Sequence, residues 1–198
     1  SPKSTKRRLP RGSMHCGRKL PAKKITTFLN YLSSLSPMEK EVLGKYLKAG
    51  CICKEAREYG ASLIKVGASV KEVCDKIEAK IISLGGGIAF PAQISINDIA
   101  AHYCPDENDE TIFGQGDVVS LDIGVHIEGY VADSAVTVDL GDNAKLLKAA
   151  KEALDNALNI VRPGVTLSEL GKVIHEAITS HGFSPIKNLS GHGLGRFE

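Results

Sequence analysis

Two stretches of this chain repeat one helix–turn–helix pattern at a constant offset and without a gap. In the first, "KAGCICKEAREYGASLIKV" carries apolar residues at helical spacing and ends at Gly67. The segment "ASVKEVCDKIEAKIISLGGG" then opens a second helix, with Ser69 and Glu72 at capping-box spacing and Gly85, Gly86 and Gly87 to stop it. In the second stretch, "LLKAAKEALDNALNIVRPGVTLSELGKVIHEAITSHG" is helical up to Pro163-Gly164, restarts at Thr166 with Glu169, and stops at Gly182. Lys54, Gly67, Ser69, Ile77 and Gly85 coincide with Lys151, Gly164, Thr166, Ile174 and Gly182. Each passage is followed by an extended stretch. The expectation is an α+β fold of duplicated helix-helix-strand units, two halves facing across a pseudo-twofold axis with a cleft between them.

Between the repeats lie three strand patterns, "GIAFPAQISI", "DVVSLDIGVHI" and "YVADSAVTVDL", with the polar, turn-rich "CPDENDETIFGQG" after the first. Short strands joined by hairpin signals predict a mostly antiparallel sheet. The last two strands are apolar, yet each holds one interior aspartate, Asp122 and Asp133. Aspartate is disfavoured in strands and costly to bury unpaired. A two-residue turn at Glu128-Gly129 sets Ile127 opposite Tyr130, Gly124 opposite Asp133 and Asp122 opposite Ala135. Side chains alternate along a strand, so Asp122, Gly124, His126 and Asp133 share one face.

Two carboxylates so close in an apolar sheet repel, unless one is protonated or a cation lies between them. One strand aspartate ordinarily sits on the solvent face of an edge hairpin. Two on one face, with glycine between and apolar residues on the other face, point to a divalent cation, for which Gly124 is expected to leave room. Histidines would shift the choice of ion towards Mn, Fe, Co or Zn. His192, between glycines in "NLSGHGLGRF", and His102, in the loop "SINDIAAHYCP", are the candidates. His126, His175 and His181 read as ordinary surface or core residues, and His15 lies near the N-terminus.

The chain has 198 residues, with 25 basic and 23 acidic side chains. Residues 1–38 hold nine Lys and Arg and no acid, which predicts a basic, solvated arm before a domain at 39–198. Within the arm, "LPRGSMH" resembles a protease-cleavage scar rather than native sequence. No apolar run approaches a membrane span, and no DNA-binding pattern stands out. The five cysteines are odd in number and include no CxxC pair, which suits reduced thiols in the cytoplasm.

"FPAQISINDIAAHYCP", "LDIGVHIEGYVADSAVTV" and "NLSGHGLGRFE" together resemble the methionine aminopeptidases, in particular the type II branch of archaea and eukaryotes. The resemblance covers roughly Lys48 to Glu198. It implies the pita-bread (creatinase/aminopeptidase) fold, two related α+β halves around a dinuclear metal cleft. Aminopeptidase P and prolidase share that fold, but their second aspartate motif usually continues Thr-Arg-Thr, where this chain has "DSAVTV". By resemblance, Asp122 chelates one of two divalent ions (Co, Mn, Fe or Zn), Asp133 bridges them, and His192 binds the other. His102 is the catalytic, substrate-contacting histidine, and Phe90 is a wall of the methionine side-chain pocket. The implied activity is removal of N-terminal methionine from nascent peptides, with the ribosome a further partner through the basic arm.

The family pattern continues beyond the His192 motif with a second histidine and two glutamate ligands, whereas this sequence ends at Glu198. The domain is therefore expected to be the N-terminal portion of such an enzyme, incomplete in its second half. The alternative is a non-catalytic pita-bread relative that binds RNA or ribosomes through the arm.

Overall fold

The computed structural model describes residues 36–197. The expected basic arm falls almost wholly outside the described residues. One compact unit spans Val42–Glu198. Helix α1 (Pro37–Leu63) and helix α2 (Val70–Ser83) come first, then strands β1 (Gly87–Ile96), β2 (Val118–Ile127) and β3 (Tyr130–Asp139), then helices α3 (Ala144–Ile160) and α4 (Leu167–Ser180).

Local chemistry sets the boundaries. Ser36 and Glu39 cap the start of α1 reciprocally, Ser36 N donating to Glu39 Oε2 at 2.7 Å and Glu39 N to Ser36 Oγ at 3.2 Å. Pro37 takes the first helical position, where its missing N–H costs nothing. Thr166 and Glu169 form the full capping box at α4. Ser69 makes only half of one at α2: its hydroxyl accepts from Glu72 N, while the Glu72 carboxylate turns to Lys76 at 3.0 Å. An i,i+4 partner of opposite charge competes with the back-bond.

The sheet is antiparallel in the order β1-β2-β3. Glu128 and Gly129 both have positive φ, 52° and 90°, as a twist-matched two-residue turn requires. The resulting register runs Ile127↔Tyr130, Gly124↔Asp133, Asp122↔Ala135. On one face Ile94, Val119, Leu121, Ile123 and Val125 pack with Ile52, Cys53 and Ala56 of α1 and Val73, Ile77 and Ile81 of α2 to form the core. Gly60 lets α1 approach closely, since a Cβ there would lie 2.5 Å from Ile77 and 2.8 Å from Leu121. The opposite face carries Asp122, Gly124, His126 and Asp133.

β1 is irregular. Its register against β2 shifts between Ile88 and Phe90 and again between Phe90 and Gln93. Pro91 has no N–H for the ladder, and Ala92 N donates instead to Glu78 Oε1 of α2 at 2.9 Å. The bulges set Phe90 opposite Gly124 and Gln93 opposite Asp122, both on the face away from the core.

Helices α3 and α4 pack on each other, and α3 touches β3 more lightly. The extended stretch after α4 makes one isolated bridge, Arg196 to Tyr130, rather than a strand. Leu154, Leu158 and Leu167 stay exposed, the last 84% so.

Candidate metal centre

Asp122 sits half-buried in the middle strand of the sheet, and its Oδ1 is buried without a hydrogen-bond partner. Burial pushes its pKa above the ordinary carboxylate value. The Asp133 charge, and an Asp133 carboxyl within hydrogen-bonding reach, push the same way; His102 and His192 oppose them. Asp133, His102 and His192 thus each act electrostatically on Asp122. Charged carboxylates in such contact need a proton or a cation.

His192 comes from the loop after α4. Its Nδ1 lies 2.9 Å from Gly193 O, and because a carbonyl only accepts, Nδ1 carries the proton. The lone pair of a neutral ring is then on Nε2, which faces Asp133 Oδ2 at 3.3 Å. Two acceptors face each other unless a proton or a metal joins them. A ring whose other N–H is anchored on a backbone carbonyl is also the usual posture of a metal-binding histidine. With the orphaned Asp122 Oδ1, this donor set of two carboxylates and an imidazole fits a divalent cation. Among the described residues no three such groups stand at ligating distance as a finished cage.

His102 lies in the loop after β1 with φ 67°. Non-glycine residues adopt that conformation uncommonly, in turns and at functional sites. The side chain is exposed.

Next to these groups lies a cleft of roughly 200 Å³, lined among others by Phe90, His126, Asp133, His192, Leu194 and Phe197. That is below the roughly 300–1,000 Å³ of sites for larger ligands, so it suits a single side chain. The expectation that Gly124 leaves room for a cation needs correcting. A Cβ there would lie 2.3 Å from the Phe90 ring, so the missing side chain makes space for the aromatic wall.

His126 is a cleft residue that sequence reading assigned an ordinary role. Its ring fills the space over Gly87, accepts from Gly129 N at 3.2 Å, and lies 5.8 Å from the Phe197 ring. Alternation along β2 already put it on the aspartate face; only the β1 pairing shows the cleft beside it. His175 is exposed, and His181 pairs with Glu152 at 2.9 Å.

Residues 44–198 match the metallopeptidase family M24. This chain belongs to that family. The M24 chain is 56% identical over 157 residues to a methionine aminopeptidase of Archaeoglobus fulgidus, a match covering 79% of this chain and 54% of that protein. A methionine aminopeptidase of Pyrococcus horikoshii is 49% identical over 155 residues, 78% of this chain and 52% of its own length. The chain thus spans about half the length of the curated relatives it matches. Among solved structures, methionine aminopeptidase from Thermotoga maritima superposes with a TM-score of 0.74 at 28% identity, covering 82% of this chain and 68% of that one. X-Pro aminopeptidase from Thermotoga maritima follows the same fold at TM-score 0.61 and 27% identity, over 72% and 42% of the two chains. The M24 chain therefore has the pita-bread fold.

Proposed function

We propose that this M24 chain forms the N-terminal part of a methionine aminopeptidase, in which Asp122, Asp133 and His192 hold two divalent ions. The observation that carries this reading is that Asp122 and Asp133 share one face of adjacent antiparallel strands, with His192 Nε2 at 3.3 Å from Asp133. The names of its relatives support the choice of methionine as the residue removed.

Divalent ions bound there would supply Lewis acidity. The rest falls to the side chains. Asp122 and Asp133 bring the negative charge that retains the cations, and apolar burial keeps that charge poorly solvated and so strongly attractive. Phe90 and the cleft beside it receive an unbranched apolar side chain. His102, held by its strained backbone in the loop after β1, donates a hydrogen bond to the carbonyl oxygen as charge develops on it, or to the departing nitrogen. His192 keeps its Nδ1 proton on Gly193 O, which leaves Nε2 free to ligate.

Nascent peptides beginning with methionine are the proposed substrates, and the cytoplasm the proposed location. The four described cysteines are all free, as that compartment favours, and no described helix is long and apolar enough to cross a membrane. The RNA- or ribosome-binding alternative rests on the basic arm, which lies almost wholly outside the described residues. The assembled acid–imidazole set favours the metal reading.

A coupled assay of methionine release from Met-Ala-Ser peptides with added Mn or Co tests the proposal. The full reading frame should turn over, and the 198-residue chain alone should bind the metal weakly and release little methionine. Asp133→Ala in the full reading frame should reduce release to background; undiminished turnover by that variant would sink the assignment.

A further inference from the structure

Two buried side-chain oxygens lack a hydrogen-bond partner among the described residues, Asp122 Oδ1 and Gln93 Oε1. They belong to directly opposed residues. Gln93 of β1 pairs with Asp122 of β2, on the face that carries the candidate metal ligands. Both atoms are acceptors, and neither can satisfy the other. The oxygen and nitrogen of a carboxamide exchange places by a half-turn of the terminal bond, and the hydrogen-bond network decides which is which. Turned over, Gln93 brings Nε2–H to the buried side, where Asp122 Oδ1 has no donor. Directly opposed residues on antiparallel strands have Cβ atoms about 4.5–5.5 Å apart, a gap that glutamine and aspartate side chains can span.

We propose that Gln93 is a positioning residue for Asp122, its carboxamide N–H donating to Oδ1 and fixing the carboxylate in its ligating orientation. The inference rests on the metal reading of Asp122 given above for its consequence, though not for the hydrogen bond itself. A carboxylate oxygen has two lone pairs, so Oδ1 accepts from Gln93 with one and faces a cation with the other. The β1 irregularity gains a purpose. Its two register shifts place Gln93 opposite Asp122, and bulges commonly re-aim a side chain beside a site. Partners that orient ligating carboxylates contribute strongly to metal affinity, and losing one typically weakens binding about 10–100-fold.

The hydrogen bond can be read without metal. In metal-free, isotope-labelled protein, NMR should show a through-hydrogen-bond coupling between Gln93 Nε2 and Asp122 Cγ. Its absence, with both resonances assigned, would overturn the proposal. The consequence is read by Mn titration of the full reading frame, with thermal midpoints recorded to confirm folding. Gln93→Met, equal in length and without a hydrogen-bond donor, should weaken Mn binding about 10–100-fold. Gln93→Glu supplies acceptors only and should weaken it at least as much. Unchanged affinity in Gln93→Met, or tighter binding in Gln93→Glu, would show that the side chain does not act as a donor to Asp122. Failure of the wild-type protein to bind Mn would sink the metal reading instead, and the coupling would still decide the hydrogen bond.

Discussion

At the scale of the residue, the metal-binding role proposed for Asp122 is set against stability. Its folded pKa lies above the ordinary value of 3.8, chiefly through burial and then through the Asp133 charge. An acid raised in this way keeps its proton in the native state while the unfolded chain has already lost it. Its stabilising contribution is complete below 3.8 and is lost as pH rises through the raised native value. In chelator-treated protein, Asp122→Asn should therefore raise the thermal midpoint relative to wild type, by an increment that grows as pH rises above the ordinary carboxylate value of 3.8. The same variant should lose the stabilisation that added Mn confers on the wild type. A midpoint difference independent of pH would count against the buried acid pair. Burial raises two thiols as well, Cys53 to about 11 and Cys74 to about 12, so both stay protonated and unreactive at neutral pH.

At the scale of the element, the hairpin and β1 act as one part. The Glu128-Gly129 turn sets which face the aspartates occupy, and a slip of one residue would send them into the core. Gly124 of β2 is covered by the Phe90 ring of β1. Gly124→Ala would press a methyl against the Phe90 ring, which must shift, because a Cβ there would also lie 3.0 Å from Ala89 Cβ. Overpacking of this kind costs about 1–3 kcal/mol, measurable by denaturant unfolding, and under the proposed role of Phe90 the displaced ring should raise KM for methionyl peptides more than it lowers kcat. On the core face, Ile77 of α2 is fully buried against Gly60 and Leu121. Ile77→Ala should cost about 2–5 kcal/mol without touching a proposed metal ligand. A loss of metal affinity beyond that attributable to unfolding would mean the two faces of the sheet are coupled.

At the scale of the whole molecule, apolar burial is uneven. The core lies between α1, α2 and one sheet face, whereas α3 contributes only alanines to the buried set and leaves Leu154 and Leu158 about half exposed. Leu167, Ile186 and Phe197 are exposed as well. Exposed apolar surface of this kind favours self-association. The 198-residue chain should show a concentration-dependent sedimentation coefficient, and Leu154→Glu with Leu158→Glu should shift it towards monomer. A monodisperse monomer at high concentration would show that these leucines do not drive assembly.

The order of elements, both helix pairs, the turn at Glu128-Gly129 and the common face of Asp122 and Asp133 were legible in the sequence, because each follows from short-range rules. Capping spacing, glycine stops and strand alternation act within a few residues and need no partner. The motifs around His102 and His192 were also visible as residues, but their meeting near Asp122 depends on loops whose paths local chemistry does not set. What only the tertiary structure decided came from strand pairing. Two bulges in β1 determine which of its side chains face the aspartates, and nothing within "GIAFPAQISI" reveals that Phe90 lies over Gly124 or that Gln93 stands opposite Asp122. The role of His126 depended on the same step. A side chain's face is a local property of its strand, but whether that face borders a cleft is set by the strand that pairs beside it.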